Sequence, residues 1–335
     1  MAKNYVIFGS EMSPYSVKVR SYFRYKGLAH QWIAHRPEND AEYRKFARLL
    51  IVPTVATPEG TGLQDSTPII ETLEAEFAEP AIHPEGPVLG FISALIEEFG
   101  DEWGNKLMFH HRWYAEVDRL ASAQTLARLS SPSADSTMIA DLTKSVLLRM
   151  AGRGHFVGSS EATAPLITDY YLKLIDILNP HLATRKYLLG ARPSFGDFGL
   201  SAQLYEASVD PTCGAIMRAR GPVVLDWCHR MLEPRLDGPF EEWAALEPTL
   251  TPLLAYIGKY FLPWSKANAA AVMAGADAFT VELAGQDYTQ PPQKYHAKSL
   301  AALRSRYAAT RNDTLDAILA VSGCVDVLKG DKGER

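Results

Sequence analysis

The sequence is short of cysteine, has no long apolar run and carries no excess of positive charge, and each shortage excludes a class of protein. Cys213, Cys228 and Cys324 are an odd number at wide spacing, so they predict neither a disulfide framework nor a metal site. No stretch approaches the roughly 18–20 apolar residues that cross a bilayer. Lysine and arginine total 34 against 39 acidic residues, a net charge of −5 that gives no reason to expect a nucleic-acid partner.

Length and composition indicate a soluble globular protein with two domains. The chain has 335 residues, and single hydrophobic cores stop growing at roughly 250–300 residues. A hydrophobic fraction of 47% and a charged fraction of 22% are ordinary for globular proteins. The apolar run at the start of the chain is too short for a secretory signal, which predicts a cytoplasmic protein.

Residues 1–82 predict an α/β domain, because short apolar runs alternate with helical patterns. A helix is expected to begin at Ser13, where a serine cap is followed by Pro14, and to end at Gly27. A later helix is expected to be capped by Ser66. The remaining expected elements are strands at 4–10 and 30–35, a helix over 41–50, and two short strands on either side of 60–62.

From residue 88 onward the pattern changes, and it predicts an all-helical domain over 88–335. Apolar residues recur every three or four positions from Val88 to Leu107, which predicts one long helix. Residues 240–335 form an additional helical extension, with two helices inside 265–321 separated by a segment that contains paired prolines. Further helices are expected at about 137–151, 165–183, 195–207, 222–232 and 248–262.

Four motifs carry a family resemblance by their order and spacing. They are Ser-Pro-Tyr-Ser at 13–16, Val-Pro-Thr at 52–54, Gln-Asp-Ser at 64–66, and Pro-Ser-Phe-Gly-Asp-Phe-Gly at 193–199. With them the chain resembles the cytosolic glutathione S-transferases, of a serine-type, bacterial-like kind with an extended C-terminal helical region. The resemblance covers residues 1 to about 235. It implies a thioredoxin-like domain followed by a transferase-type helical domain, with glutathione as co-substrate.

The resemblance implies that Ser13 is catalytic. A free thiol has a pKa of ~8.5, so a donor at a helix N-terminus must stabilise the thiolate of glutathione. Ser13 matches the family's catalytic serine best, and Ser10 and Ser16 remain alternatives. A helix cap without a chemical role is the competing interpretation. Redox relatives have cysteine where this frame has serine, which excludes thiol–disulfide exchange at this site.

Two further motifs are implied to bind glutathione. Pro53 is expected in a cis peptide bond, with the backbone of Val52 pairing with the extended tripeptide. Asp65 and Ser66 are expected to bind the γ-glutamyl end at a helix N-terminus. The competing interpretations are an ordinary loop proline and an ordinary helix cap.

The acceptor is expected between Ser13 and the first long helix, in a pocket formed by Tyr15, Trp103, His110 and Tyr114. Aromatic walls suit an apolar electrophile, although each of these side chains could instead belong to the core between the domains. His110 and His111 are adjacent and point to different helical faces, so no metal site is expected. The last motif is interpreted as structural, with Ser194 and Asp197 forming a capping box.

The sequence therefore predicts a glutathione transferase in which the thiolate attacks an electrophilic, apolar or aromatic small molecule. Ether cleavage or isomerisation by the same nucleophile is also open. The resemblance further implies a homodimer, with neither a nucleic acid nor a membrane as partner. The alternative is a non-catalytic protein of the same fold that binds or acts as a scaffold.

Overall fold

The computed structural model describes residues 4–330, and it begins with a four-stranded mixed sheet. The strand order is β2-β1-β3-β4, with β1 parallel to β2 and the other pairs antiparallel. The strands are β1 Tyr5–Gly9, β2 His30–Ala34, β3 Thr54–Ala56 and β4 Gly62–Gln64. Their helices are α1 Pro14–Tyr25, α2 Asp40–Tyr43 and α3 Ser66–Glu76. The predicted thioredoxin-like arrangement is confirmed.

Helix α2 is much shorter than the helix predicted over 41–50, and that prediction is wrong. The chain turns away after Tyr43, whose buried hydroxyl donates to the carbonyl oxygens of Leu49 and Ile51. The side chain of Gln64 also accepts the N–H of Leu49 at 2.9 Å. These contacts between distant residues satisfy the backbone outside a helix, which local propensity does not reveal.

The second part of the chain is mainly helical, as predicted, although the sequence pattern missed α6, α10 and α16. The prediction of two helices within 265–321 is wrong, because α13, α14 and α15 all lie there. No helix within residues 4–330 is long and apolar enough to span a membrane. A π-helical turn at 100–104 joins α4 to α5. The helices are α4 Pro87–Phe99, α5 Asn105–Tyr114, α6 Glu116–Ser130, α7 Ser136–Met150, α8 Ala164–Leu182, α9 Phe195–Ser208, α10 Pro211–Arg220, α11 Pro222–Arg230, α12 Trp243–Tyr256, α13 Leu262–Ala274, α14 Lys294–Thr310, α15 Asp313–Val321 and α16 Val325–Lys329.

The prediction that 88–335 is entirely helical is wrong at one place, where a β-hairpin lies between α13 and α14. It consists of β5 Phe279–Leu283 and β6 Gln286–Gln290. Ala284 and Gly285 both have positive φ, at 55° and 82°, as a two-residue hairpin turn requires. The hydroxyl of Tyr288 on β6 donates to the carbonyl of Val157, so the hairpin is anchored to the helical domain.

Helices α4 and α9 pack at close range because glycines lie where they cross. A Cβ atom added at Gly199 would lie 2.8 Å from the carbonyl oxygen of Glu97. One added at Gly100 would lie 2.5 Å from the backbone nitrogen of Leu200. Only glycine allows the two backbones to approach this closely. This contact fixes the start of the π-helical turn against the core.

The C-terminal extension lies against the boundary between the two domains. Helix α14 packs along α4, where the rings of Tyr307 and Phe91 are 5.5 Å apart. Arg306 on the same helix forms an ion pair with Glu71 on α3. The extension therefore covers the face at which α3 and α4 meet, a position that the sequence did not predict.

We expect Asp197→Ala to lower the free energy of unfolding by about 3 kcal/mol, because four donors lose a buried acceptor. Asp197 is fully buried and accepts from the N–H and O–H of Ser194, from the N–H of Leu188 and from the indole of Trp227. Denaturant unfolding measures the loss. Asp135→Ala, which removes an exposed helix cap, is the control and should cost about 1 kcal/mol. Equal losses in the two variants would contradict a buried structural role.

Candidate ligand-binding site

A cavity of about 290 Å³ lies where the first domain, the π-helical turn and the extension meet. It is lined by Tyr15, Ile51, Val52, Pro53, Asp65, Ser66, Asp101, Glu102, Tyr295 and His296. The four residues predicted to bind glutathione, at 52, 53, 65 and 66, are thus brought together at one place. One of the four predicted acceptor residues, Tyr15, lies with them.

Two backbone features shape the cavity wall. The Val52-Pro53 peptide bond is cis, and it directly precedes β3. Asp65 has a positive φ of 73° and is the N-cap of α3, so Ser66 is the first helical residue rather than the cap that the sequence predicted. Free N–H groups and the positive end of the helix dipole therefore face the cavity at Ser66.

A buried ammonium group holds these elements in place. Lys18 on α1 is fully buried, and its Nζ lies 2.5 Å from Glu97, 2.7 Å from Asp101 and 2.9 Å from Thr67. Burial alone would lower the pKa of Lys18, but the two carboxylates raise it above its usual range. Asp101 also accepts the hydroxyl of Ser66 at 3.3 Å. The network joins α1, α3 and the π-helical turn behind the cavity.

Ser13 is not among the residues that line this cavity. It is half-buried at the start of α1, where its Oγ accepts the N–H of Ser16 at 3.3 Å. Ser16 is fully buried, and its own Oγ accepts the N–H of Ser10 at 3.2 Å. Arg112 donates to the carbonyl of Met12 at 3.0 Å and so braces the same loop. Contact between Ser13 and a thiol stays a prediction.

The structure does not bring the four predicted acceptor residues to one cavity. Trp103 is 1% exposed and belongs to the core, where its indole donates to Tyr256 at 3.3 Å. His110 and Tyr114 line a separate cavity of about 620 Å³, while Tyr15 lies in the first. The π-helical turn contains one extra residue, which rotates the following helix face by about 100°. That rotation turns His110 and Tyr114 away from Tyr15.

The paired histidines have structural partners. Nδ1 of His110 lies 2.7 Å from Oγ of Ser159, and Nδ1 of His111 lies 2.7 Å from the carbonyl of Leu107. Burial lowers the pKa of His110 to about 3. Within residues 4–330 no group of three or more His, Cys, Asp or Glu side chains is arranged to hold a metal ion.

Five residues of the cavity were not predicted from the sequence. They are Ile51, next to the Val-Pro motif, and two pairs, Asp101 with Glu102 and Tyr295 with His296. The hydroxyl of Tyr295 donates to Asp65 at 2.6 Å, and His296 contacts Glu102. Acidic residues in the otherwise apolar stretch that runs from α4 into the π-helical turn were a usable signal for the first pair. No local signal indicated that the last pair, from the extension, would reach this cavity.

Comparison with known proteins agrees with the architecture of the first domain. Residues 7–81 match the family model described as glutathione S-transferase, N-terminal domain. No curated protein matches the chain. Residues 7–81 are therefore a domain of this family, followed by helices.

Among solved structures, the chain is similar to a glutathione S-transferase from Rhodospirillum rubrum, with 19% identity, coverage of 67% of this chain and 86% of that chain, and a TM-score of 0.43. A glutathione S-transferase from Methylobacterium radiotolerans, in complex with glutathione sulfonate, has 19% identity, coverage of 71% and 96%, and a TM-score of 0.40. A beta-etherase from Sphingobium has 17% identity, coverage of 69% and 95%, and a TM-score of 0.48. Sequence identities and TM-scores this low do not allow the activity of any of these proteins to be assigned to the chain.

We expect Tyr295→Phe to tighten, by about threefold to tenfold, the binding of a ligand that donates to Asp65, because Asp65 is then relieved of a competing hydrogen bond; glutathione is the ligand to test. Calorimetric titration measures the affinity. Tyr307→Phe is a matched control, since it removes a tyrosine–aspartate hydrogen bond from the same helix, to Asp316, outside the cavity. Weaker binding by Tyr295→Phe would show instead that this hydroxyl contacts the ligand.

Proposed function

We propose that this protein is a glutathione transferase-like enzyme whose first domain binds glutathione in the 290 Å³ cavity. One observation carries the proposal: the cis Val52-Pro53 bond and the Asp65-Ser66 pair line the same cavity at the N-terminus of α3. Within residues 4–330 neither the N–H nor the C=O of Val52 has a hydrogen-bond partner. Both are therefore available to an extended peptide.

In the proposed pose, glutathione adds as a short strand beside Val52. Its γ-glutamyl carboxylate binds the N–H groups at the start of α3, together with the Ser66 hydroxyl, which then donates to the ligand instead of to Asp101. Its ammonium group faces the carboxylate of Asp65, which lines the cavity beside Ser66. Charge-assisted hydrogen bonds of this kind are about twice as strong as neutral ones.

The proposed chemistry requires the thiol to be ionised at neutral pH. Ser13 accepts a backbone N–H through its Oγ, so its own hydroxyl proton is available to a thiolate. The N-terminus of α1 adds positive potential at the same place. The thiolate attacks an electrophilic carbon, a C–S bond forms, and the leaving group departs with the bonding electron pair.

The proposed acceptor is apolar or aromatic and lies beside Tyr15, the one predicted acceptor residue at this cavity. The hydroxyl of Tyr15 donates to the carbonyl of Asp101 at 3.1 Å, so the ring is held in place. Burial raises the pKa of Tyr15 well above its usual value, and the group therefore acts as a donor rather than an anion.

A non-catalytic binding protein of the same fold is the second candidate. The Tyr295 hydroxyl already binds Asp65, and Trp103 lies in the core instead of forming an acceptor wall. The homodimer implied by the resemblance stays a prediction. Because α14 covers part of α3 and α4, such a dimer would use the remaining surface of the first domain.

We expect Ser66→Ala to weaken glutathione binding about tenfold, because the carboxylate loses a hydroxyl donor at the start of α3. Calorimetry on the full chain measures the change. Ser136→Ala is a matched control, since Ser136 is also the first residue of a helix and also follows an aspartate cap. No binding of millimolar glutathione to the wild type would overturn the proposal.

We expect Ser13→Ala to reduce kcat/KM with a general electrophile such as chlorodinitrobenzene about a hundredfold, because the thiolate loses its donor. Glutathione affinity should change little, whereas the pKa of the bound thiol, followed by thiolate absorbance, should rise. Ser10→Ala tests the alternative serine. Full activity in Ser13→Ala would exclude the assigned role, and a wild type that binds without turnover would favour the second candidate.

A further inference from the structure

A second cavity of about 260 Å³ lies beside the first, between α3, α4 and α14. We call it the inner cavity. It shares Asp101, Glu102 and Tyr295 with the first cavity, so the two are neighbours across a common wall. The inner cavity is lined by the carboxyl side chains of Glu71, Glu97, Glu98, Asp101 and Glu102, together with other polar and apolar residues.

Five carboxyl groups line this cavity, and two of them, Glu98 and Glu102, have no cationic partner among the described residues. Burial lowers the pKa of His296, which contacts Glu102, to about 4. Arg306 pairs with Glu71, and Lys18 lies behind the wall between Glu97 and Asp101. The remaining cation, Lys298, is exposed. Within residues 4–330 Glu98 forms no ion pair. The inner cavity therefore has more carboxyl groups than cations to pair with them.

Two carboxylate oxygens in this wall lack a hydrogen-bond donor. Asp101 is only 6% exposed, and its Oδ2 binds Lys18, but its Oδ1 has no partner within residues 4–330. The Oε1 atom of Glu98 is likewise buried and without a partner. A buried acceptor that lacks a donor is costly, so both atoms favour a ligand that donates.

The raised pKa values of Glu97 and Glu98 also favour a ligand that donates hydrogen bonds. Burial, together with the neighbouring carboxylates of Glu97 and Asp101, raises the pKa of Glu98 to about 8. Burial also raises the pKa of Glu97 to about 7, although Lys18 opposes the shift. At neutral pH these carboxyls retain protons that a bound cation would replace.

The lining also contains apolar residues that suit an alkyl chain, namely Pro68, Ala94, Phe195, Ala302 and Leu303. An alkylammonium ion offers three N–H donors on a stem of apolar methylene groups. Anionic groups would be repelled, and no metal-binding group of side chains is present within residues 4–330.

We propose that the inner cavity is a binding site for an organic ammonium group carried by a small alkylamine, with Asp101 and Glu98 as its acceptors. The site is additional to the proposed glutathione site and does not depend on turnover. Because the two cavities share Asp101, Glu102 and Tyr295, the amine lies next to the γ-glutamyl end of glutathione, not in its place.

Calorimetric titration of the full chain with putrescine tests this site. We expect one putrescine per chain and no binding of butanediol, its neutral analogue. Glu98→Gln keeps the shape of the side chain but removes the charge, and we expect it to weaken putrescine binding at least tenfold. Glu85→Gln, at an exposed glutamate outside both cavities, should bind putrescine as the wild type does.

The Glu98→Gln variant should also change how stability depends on pH, and this change shows that the variant is folded. A carboxyl with a raised pKa in the folded state loses stability as pH rises from its unfolded value of about 4.5 to about 8. Glu98→Gln removes this loss, so its denaturant midpoint should exceed that of the wild type at pH 8 and match it at pH 4. The other titratable groups that face Glu98 are unchanged, and they are Lys18, Glu71, Glu97, Asp101, Glu102, Tyr295, His296, Lys298 and Arg306.

Three results would overturn the proposal: absence of putrescine binding, equal weakening by Glu85→Gln, or mutual exclusion of putrescine and glutathione. The last would assign the ammonium group to the glutathione site itself. Putrescine binding without glutathione binding supports the inner-cavity site and rejects the proposed function. Normal glutathione binding without putrescine binding rejects the inner-cavity site and leaves the proposed function intact.

Discussion

The buried ammonium of Lys18 is the interaction on which the candidate site depends. It lies within 2.7 Å of both Glu97 and Asp101, and it also contacts Thr67 in the first turn of α3. A fully buried charge is tolerated only when it is paired, so these groups hold each other in fixed positions. Asp101 in turn accepts the hydroxyl of Ser66. The relative position of α1, α3 and α4, and with it the shape of the cavity, follows from this one network.

The π-helical turn at 100–104 determines which side chains join that network. It directs Asp101 and Glu102 to the cavities while Trp103 stays in the core. Gly100 allows α9 to approach closely enough to hold the turn. The extra residue also explains why an aromatic stripe that is continuous in the sequence is divided between different environments. One local irregularity therefore both builds the polar wall and separates the expected acceptor residues.

The parts of the fold that could be predicted from the sequence are those with local signals. Ser13 with Pro14, the Val52-Pro53 pair and the capping box at Ser194 each act within a few residues, and each lies where it was expected. The short α2 and the position of the extension could not be predicted in this way. Tyr295 and Asp65 are 230 residues apart, and nothing in either segment indicates their contact. The hairpin at 279–290 does have a local signal, because strand-like alternation flanks Ala284 and Gly285. The helical patterns on either side of the hairpin nevertheless led to a prediction of helix throughout.

The extension contributes side chains to the walls of both cavities. Helix α14 contains five basic side chains and no acidic one, namely Lys294, His296, Lys298, Arg304 and Arg306, and it lies on the acidic face formed by α3 and α4. Tyr295 from this helix contributes to both cavities. A ligand that displaces Tyr295 from Asp65 must also alter the wall of the inner cavity. By reciprocity of binding free energies, an ammonium ligand and glutathione then change each other's affinity by the same factor. The contact between α14 and the first domain is therefore the element through which the two proposed sites are coupled.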